Sequence, residues 1–109
     1  MEASVRRGFR ASVVAGAWVL ACTGTLAQDR AVIEAGELVY DEHCASCHGD
    51  KLRATGAMPD LKQQKADGRA RFDQMVMNGR GQMPAHQGVI GREELDQVWA
   101  YVRSRATDR

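Results

Sequence analysis

The chain has 109 residues, with 15 Lys+Arg against 14 Asp+Glu and a formal net charge of +1. That length admits one domain of roughly 100–200 residues, and the near-neutral balance excludes the strongly basic profile of a nucleic-acid binder. Hydrophobic residues make up 44%, so the chain as a whole is not a disordered tail, yet only two each of Trp, Tyr and Phe are available for an interior.

The first predicted element is an export segment. Arg6, Arg7 and Arg10 form a basic start, Ala11–Ala21 is uncharged, and Thr25-Leu26-Ala27 offers small residues to a processing protease. This is the layout of a secretory signal peptide. The uncharged run is about half of the roughly 20 apolar residues a spanning helix needs. The expectation is a signal peptide over residues 1–27, cleavage after Ala27, and a periplasmic domain over residues 28–109. Two alternatives stand beside it. Val19-Leu20-Ala21-Cys22 resembles a lipoprotein box, which would anchor the protein to the membrane through Cys22, although Leu20 is not the usual small residue. Arg6-Arg7-Gly8-Phe9 resembles part of a twin-arginine signal, but that route carries cargo already folded.

A domain this small buries only about 60% of its unfolded surface, and small exported domains gain stability from disulfides, a metal or a cofactor. Cleavage after Ala27 leaves Cys44 and Cys47. A disulfide closing so short a loop restricts the unfolded chain little. A covalent cofactor fits better.

The next element is an amphipathic helix over Ala31–Cys47. Val32, Gly36, Val39, Tyr40 and His43 recur at three- and four-residue steps, with Glu34, Glu37, Asp41 and Glu42 mainly facing solvent. Gly36 weakens a helix by about 1 kcal/mol relative to Ala. Its place four residues before Tyr40, on one face, points to a second helix approaching closely there.

Cys44-Ala45-Ser46-Cys47-His48 is a C-x-x-C-H sequence, the attachment motif for c-type haem. Helical positions i, i+3 and i+4 share a face, so Cys44, Cys47 and His48 can address one flat object. Both thiols add to porphyrin vinyl groups as thioethers, and His48 becomes the proximal iron ligand. A thioredoxin-like motif would need a βαβ setting, and nothing alternates as strands do. A zinc site would need a second pair of ligands, for which only His43 and His86 remain.

A second iron ligand is expected downstream. Met83 precedes Pro84 and follows Gly79-Arg80-Gly81-Gln82, a loop suited to presenting a thioether. Met75 and Met77 lie in a helical pattern and read as core packing. Met58-Pro59 is the rival, but so soon after His48 it should wrap the proximal side. His86 would give a bis-histidine site of lower reduction potential. Met83 is the expected second ligand. A helix over Arg69–Met77 turns Phe72, Met75 and Val76 inward and stops at Asn78-Gly79. The last helix, Arg92–Arg105, turns Leu95, Val98, Trp99 and Val102 inward, with acidic residues in its first turn and basic ones in its last. The fold class is all-α, with three main helices.

From about Arg30 onward the chain resembles class I (His/Met) cytochromes c. The resemblance is carried by Gly36-x-x-x-Tyr40, Cys44-Ala45-Ser46-Cys47-His48-Gly49, Pro59-Asp60-Leu61, Met83-Pro84 and Val98-Trp99-Ala100-Tyr101. It implies a cytochrome c fold wrapped around one covalent haem and its iron, with the first and last helices crossing at right angles. It further implies Gly36 and Tyr40 packed against Val98 and Tyr101, the Pro59 carbonyl holding Nδ1–H of His48, and Leu61 on the porphyrin. Gly91 stands where such sequences often have a serine cap. A narrower stretch, Met58-Pro59-Asp60-Leu61-Lys62 through Arg71–Val76 to Met83-Pro84, is similar to the cytochrome domain of quinohaemoprotein alcohol dehydrogenases. That likeness implies a quinoprotein dehydrogenase as electron donor, with a terminal oxidase as a candidate acceptor.

With His48 and Met83 on both faces of the iron, no position is open to oxygen, and the expected role is one-electron transfer, not enzymatic turnover. The alternatives are a haem enzyme or gas sensor with a labile sixth ligand, and a haem-free thiol redox module. Lys51, Arg53, Lys62, Lys65, Arg69 and Arg71 outnumber Asp60 and Asp67, a basic strip that could steer an acidic redox partner. A solvated loop with unrelated charges would look the same.

Overall fold

The computed structural model describes residues 14–16, 23–56 and 58–108. The basic start of the export segment and Cys22 lie outside them. Among the described residues there are four α-helices: α1 (Thr23–His43), α2 (Ala45–His48), α3 (Arg69–Asn78) and α4 (Arg92–Ser104). Single 3-10 turns occupy Asp50–Leu52, Leu61–Gln63 and Ala66–Gly68, and the described residues form no strand beyond an isolated bridge between Arg80 and Met83. The class is all-α, as the periodicity predicts.

Two boundaries differ from expectation. The first helix starts at Thr23 rather than Ala31, running through the expected cleavage position. Residues 26–31 are exposed on every side, so this stretch is helical without an apolar face to announce it. The same helix stops at His43 rather than Cys47. Cys44 adopts φ −120° and ψ −34°, and a separate single turn, α2, follows. The hydrogen bonding bridges this kink: Cys44 N–H donates to Tyr40 O at 2.8 Å, and Cys44 O accepts from Cys47 and His48 at 3.2 and 3.0 Å. The three motif residues therefore keep helical spacing across the kink.

Packing of α1 on α4 forms the centre of the fold. A Cβ on Gly36 would lie 1.9 Å from the Gln97 carbonyl oxygen and 3.0 Å from Tyr101 Cβ, so glycine alone allows this approach. Beside it the rings of Tyr40 and Tyr101, both fully buried, meet at 5.4 Å and 53°. Val39, Leu52, Phe72, Val76, Ile90, Leu95, Val98 and Val102 complete the buried cluster. Met75, expected inward on α3, is only half-buried, and Trp99 is half-buried against Phe72 with centroids at 5.1 Å. Arg69 joins α3 to α4: it pairs with Asp73 at 2.6 Å, reaches Asp96, and lies over the Trp99 ring. At the start of α4 Gly91 has no side-chain acceptor for a cap, but its N–H donates to Glu94 Oε1 at 3.2 Å.

Candidate functional site

The segment carrying Cys44, Cys47 and His48 is anchored from both ends. On its far side the Tyr40 hydroxyl donates to Gly49 O at 2.7 Å, tying the residue after His48 to the core. Burial first, then the neighbouring Cys44 and Tyr101, push the Tyr40 hydroxyl up to about 12 from an ordinary 10.0. Gly49 has φ +89°, and a Cβ there would meet the Arg53 carbonyl at 1.9 Å. Lys51 and Leu52 follow with left-handed φ values of 52° and 59°, which turns the Leu52 side chain into the core.

Both thiols are free. Cys44 is half-buried and packs on the core cluster, while Cys47 is exposed. Burial, reinforced by Cys47, pushes the Cys44 thiol up to about 11 from 9.0. A thiol held protonated is a poor exchange nucleophile. His48 is half-buried with Nδ1 fully enclosed and without a partner in hydrogen-bond geometry. Burial lowers its proton affinity, against a smaller opposing influence of the Pro59 carbonyl. The imidazole is thus held towards its neutral, metal-binding form, with Pro59 beside Nδ1. Pro59 itself is exposed and Leu61 is half-buried against the core.

Met83 is half-buried and packs on the same cluster as Cys44, Leu61 and Met77. Its turn is closed by two backbone hydrogen bonds, Arg80 N–H to Met83 O at 3.1 Å and Met83 N–H to Arg80 O at 3.0 Å. The turn folds back on Gly79, which has φ +72°; a Cβ there would lie 2.6 Å from Met83 O and 2.8 Å from Ala85 N. Bonds from His86 N–H to Val76 O and Gln87 N–H to Met77 O fasten the following residues to the end of α3. Arg71, Gln74, Met75, Asn78, Gly79 and Arg80 line a cavity of about 370 Å³ next to this turn.

His86 is buried, its Nδ1 is unpartnered, and its ring meets that of His43 edge-on at 6.1 Å. The two histidines left over in the sequence thus come together, but among the described residues no group of three or more His, Cys, Asp or Glu is arranged to hold a metal ion. Met58 is half-buried on the segment leading into Pro59. Of the basic strip, Lys51, Arg53, Lys65 and Arg71 are exposed, whereas Arg69 is engaged in its ion pairs. Sequence reasoning missed Leu52 and Ile90, single apolar residues outside any periodic run, and the grip of Tyr40 on Gly49.

Residues 31–102 match the family described as cytochrome C oxidase, cbb3-type, subunit III, through its c-type cytochrome domain. The chain is similar to quinohemoprotein alcohol dehydrogenase ADH-IIG of Pseudomonas putida, at 34% identity over 76% of this chain and 12% of that protein. It is also similar to cytochrome c550 of Pseudomonas aeruginosa, at 31% identity over 70% of this chain and 57% of that one. With cytochrome c6 of Chlorolobion braunii it shares 35% identity over 65% of this chain and 88% of that one. The chain thus spans only a small part of the dehydrogenase. No solved structure matches it. Among the described residues no helix is long and apolar enough to cross a membrane.

Proposed function

Because the chain belongs to this family of c-type cytochrome domains, we propose that it is an exported one-electron carrier whose iron is held between His48 and Met83. Membership brings covalently bound haem c and an electron-transfer role. The side chains fit that group: two free thiols at the attachment spacing, an imidazole biased to its neutral form, and a thioether on a tied turn. When bound, the haem supplies an Fe(III)/Fe(II) couple whose potential is set by its axial ligands and surroundings.

The residues divide the work. Cys44 and Cys47 tether the ring, and the kink at Cys44 with the Tyr40–Gly49 bond fixes their segment on the core. His48 offers Nε2 while Nδ1 faces Pro59, the arrangement that orients a ligating imidazole. Met83, on its hydrogen-bonded turn, would supply a thioether sulfur as the second ligand. Leu61 and the core cluster exclude water, favouring the less charged reduced state.

One observation supports the ligation: Met83 packs on the same buried cluster as Cys44 and, unlike Met77 within α3, does so from a hydrogen-bonded turn. Replacing Met83 with Ala tests it. The variant should lose the far-red methionine–iron band and gain binding of added imidazole, whereas an unchanged spectrum would rule Met83 out.

The export motif in the sequence supports a periplasmic location. Similarity to the alcohol dehydrogenase supports a quinoprotein dehydrogenase as donor, with a terminal oxidase as acceptor. Exposed Lys51, Arg53, Lys65 and Arg71 suit an acidic face on such a partner.

A further inference from the structure

The segment that follows α4 is strapped across the loop that leads from Pro59. Arg103, in the last turn of α4, donates from its guanidinium to Gln64 O at 2.5 Å and is itself held by Asp108 at 2.8 Å. Thr107 donates its backbone N–H at 2.9 Å and its hydroxyl at 3.2 Å to Lys62 O. Ala106 between them is buried. The carbonyls that receive these bonds lie in and beside the turn Leu61–Gln63, whose start is capped by Asp60 accepting from Lys62 N–H at 2.9 Å.

That turn needs outside support. It is a single 3-10 turn with no fully buried residue, and such short turns have little stability of their own. Leu61 gives it one anchor in the core. The strap gives it two more, from an element distant in sequence. Pro59 stands just ahead of the turn and is exposed, so the placement of its carbonyl depends on how Asp60 and Leu61 are held.

We propose that Arg103 and Thr107 are positioning residues for the proximal side of the haem: by fixing residues 60–64 they fix the Pro59 carbonyl opposite Nδ1 of His48. The proposal rests on His48 being the proximal ligand. A hydrogen bond weakens steeply when its acceptor swings out of line, and the bond made by the second ring nitrogen sets the orientation and basicity of a ligating imidazole. In the structure Nδ1 is enclosed beside Pro59 without a partner in hydrogen-bond geometry; the bond to the Pro59 carbonyl is one the haem-loaded protein would make, and loosening the strap would weaken it. The imidazole becomes a poorer donor, the oxidised iron is less stabilised, and the reduction potential rises.

Arg103→Lys and Thr107→Pro in the haem-loaded protein test this, because neither changes the net charge nor touches a tether or ligand. NMR in deuterated solvent follows the His48 Nδ1 proton, and voltammetry follows the potential. Each variant should exchange that proton about tenfold faster than the parent, as loss of one hydrogen bond implies, with a raised potential and an unaltered far-red band. If Thr107→Pro does not fold, Arg103→Lys decides alone. Parent-like exchange and potential, with only a lower melting temperature, would overturn the proposal and leave the strap a purely structural tie. A parent protein whose His48 ring shows no iron-shifted resonances would instead overturn the ligation beneath it, and the proposal with it.

Discussion

Gly36 of α1 lies directly against the backbone carbonyl of Gln97 in α4, at a separation that leaves no room for a Cβ. Helix propensity alone would favour Ala at this position by about 1 kcal/mol. Contact geometry decides the other way, since backbone atoms cannot step aside as a flexible side chain can. Gly36→Ala is therefore expected to lower stability by about 1–3 kcal/mol, read from urea unfolding of the haem-loaded protein. An unchanged or raised midpoint would show that the helices are not in this contact.

Tyr40 gives a pH dependence of definite sign. Its hydroxyl is pushed up to about 12 in the folded chain from an ordinary value of 10.0. Below pH 10 the hydroxyl is protonated in both states and contributes no slope. Between pH 10 and about 12 the unfolded chain loses the proton first, so stability falls as pH rises. Burial shifts Tyr101 in the same direction. Tyr40→Phe should lose about 1 kcal/mol at neutral pH with the bond to Gly49, yet show a shallower alkaline decline. Parallel pH curves for the parent and Tyr40→Phe would contradict this.

Two glycines near Met83 should behave oppositely. Gly79 has a positive φ and no space for a Cβ beneath the Met83 carbonyl, whereas Gly81 has a positive φ and open space. Gly79→Ala should displace the turn and weaken the far-red methionine–iron band. Gly81→Asn should preserve it, because asparagine tolerates the left-handed region. Equal effects on the band would mean that the turn does not hold the ligand.

Steering by the basic strip is a matter of charge at a distance. With a screening length of about 10 Å at 0.1 M salt, electron-transfer rates with an acidic quinoprotein partner should fall as salt is added. Neutralising Lys51, Arg53, Lys65 and Arg71 should flatten that dependence. Arg69→Gln should flatten the slope as well and also lower stability, because it removes a positive charge and leaves Asp73 and Asp96 without their shared partner. An unchanged slope after neutralising Lys51, Arg53, Lys65 and Arg71 would place the docking surface elsewhere.

Legibility in the sequence followed the physics of each element. The helices containing Phe72 and Val76, and Leu95, Val98 and Val102, were readable because one buried face imposes a 3.6-residue period. Gly36 was readable because a glycine on the face of Tyr40 has no other ready explanation. The kink at Cys44 was not, since side chains at i, i+3 and i+4 keep their spacing whether the helix is continuous or broken. Nor was the sharp loop after His48, where Lys51 and Leu52 take conformations usually left to glycine or asparagine. Arg103 read as a charge complementing the end of α4, but its guanidinium also serves the Gln64 carbonyl. Bonds to backbone acceptors leave no residue-type signature on the receiving side. That is why the strap over the Pro59 loop emerges only in three dimensions.

A haem joined to Cys44 and Cys47 would complete the interior of a domain with few aromatic side chains of its own. Mass spectrometry of the exported protein under denaturing conditions, from a host that matures c-type cytochromes, tests it most directly. A single species with the mass of residues 28–109 plus one haem is expected. A folded, colourless protein with the mass of the bare polypeptide would contradict it.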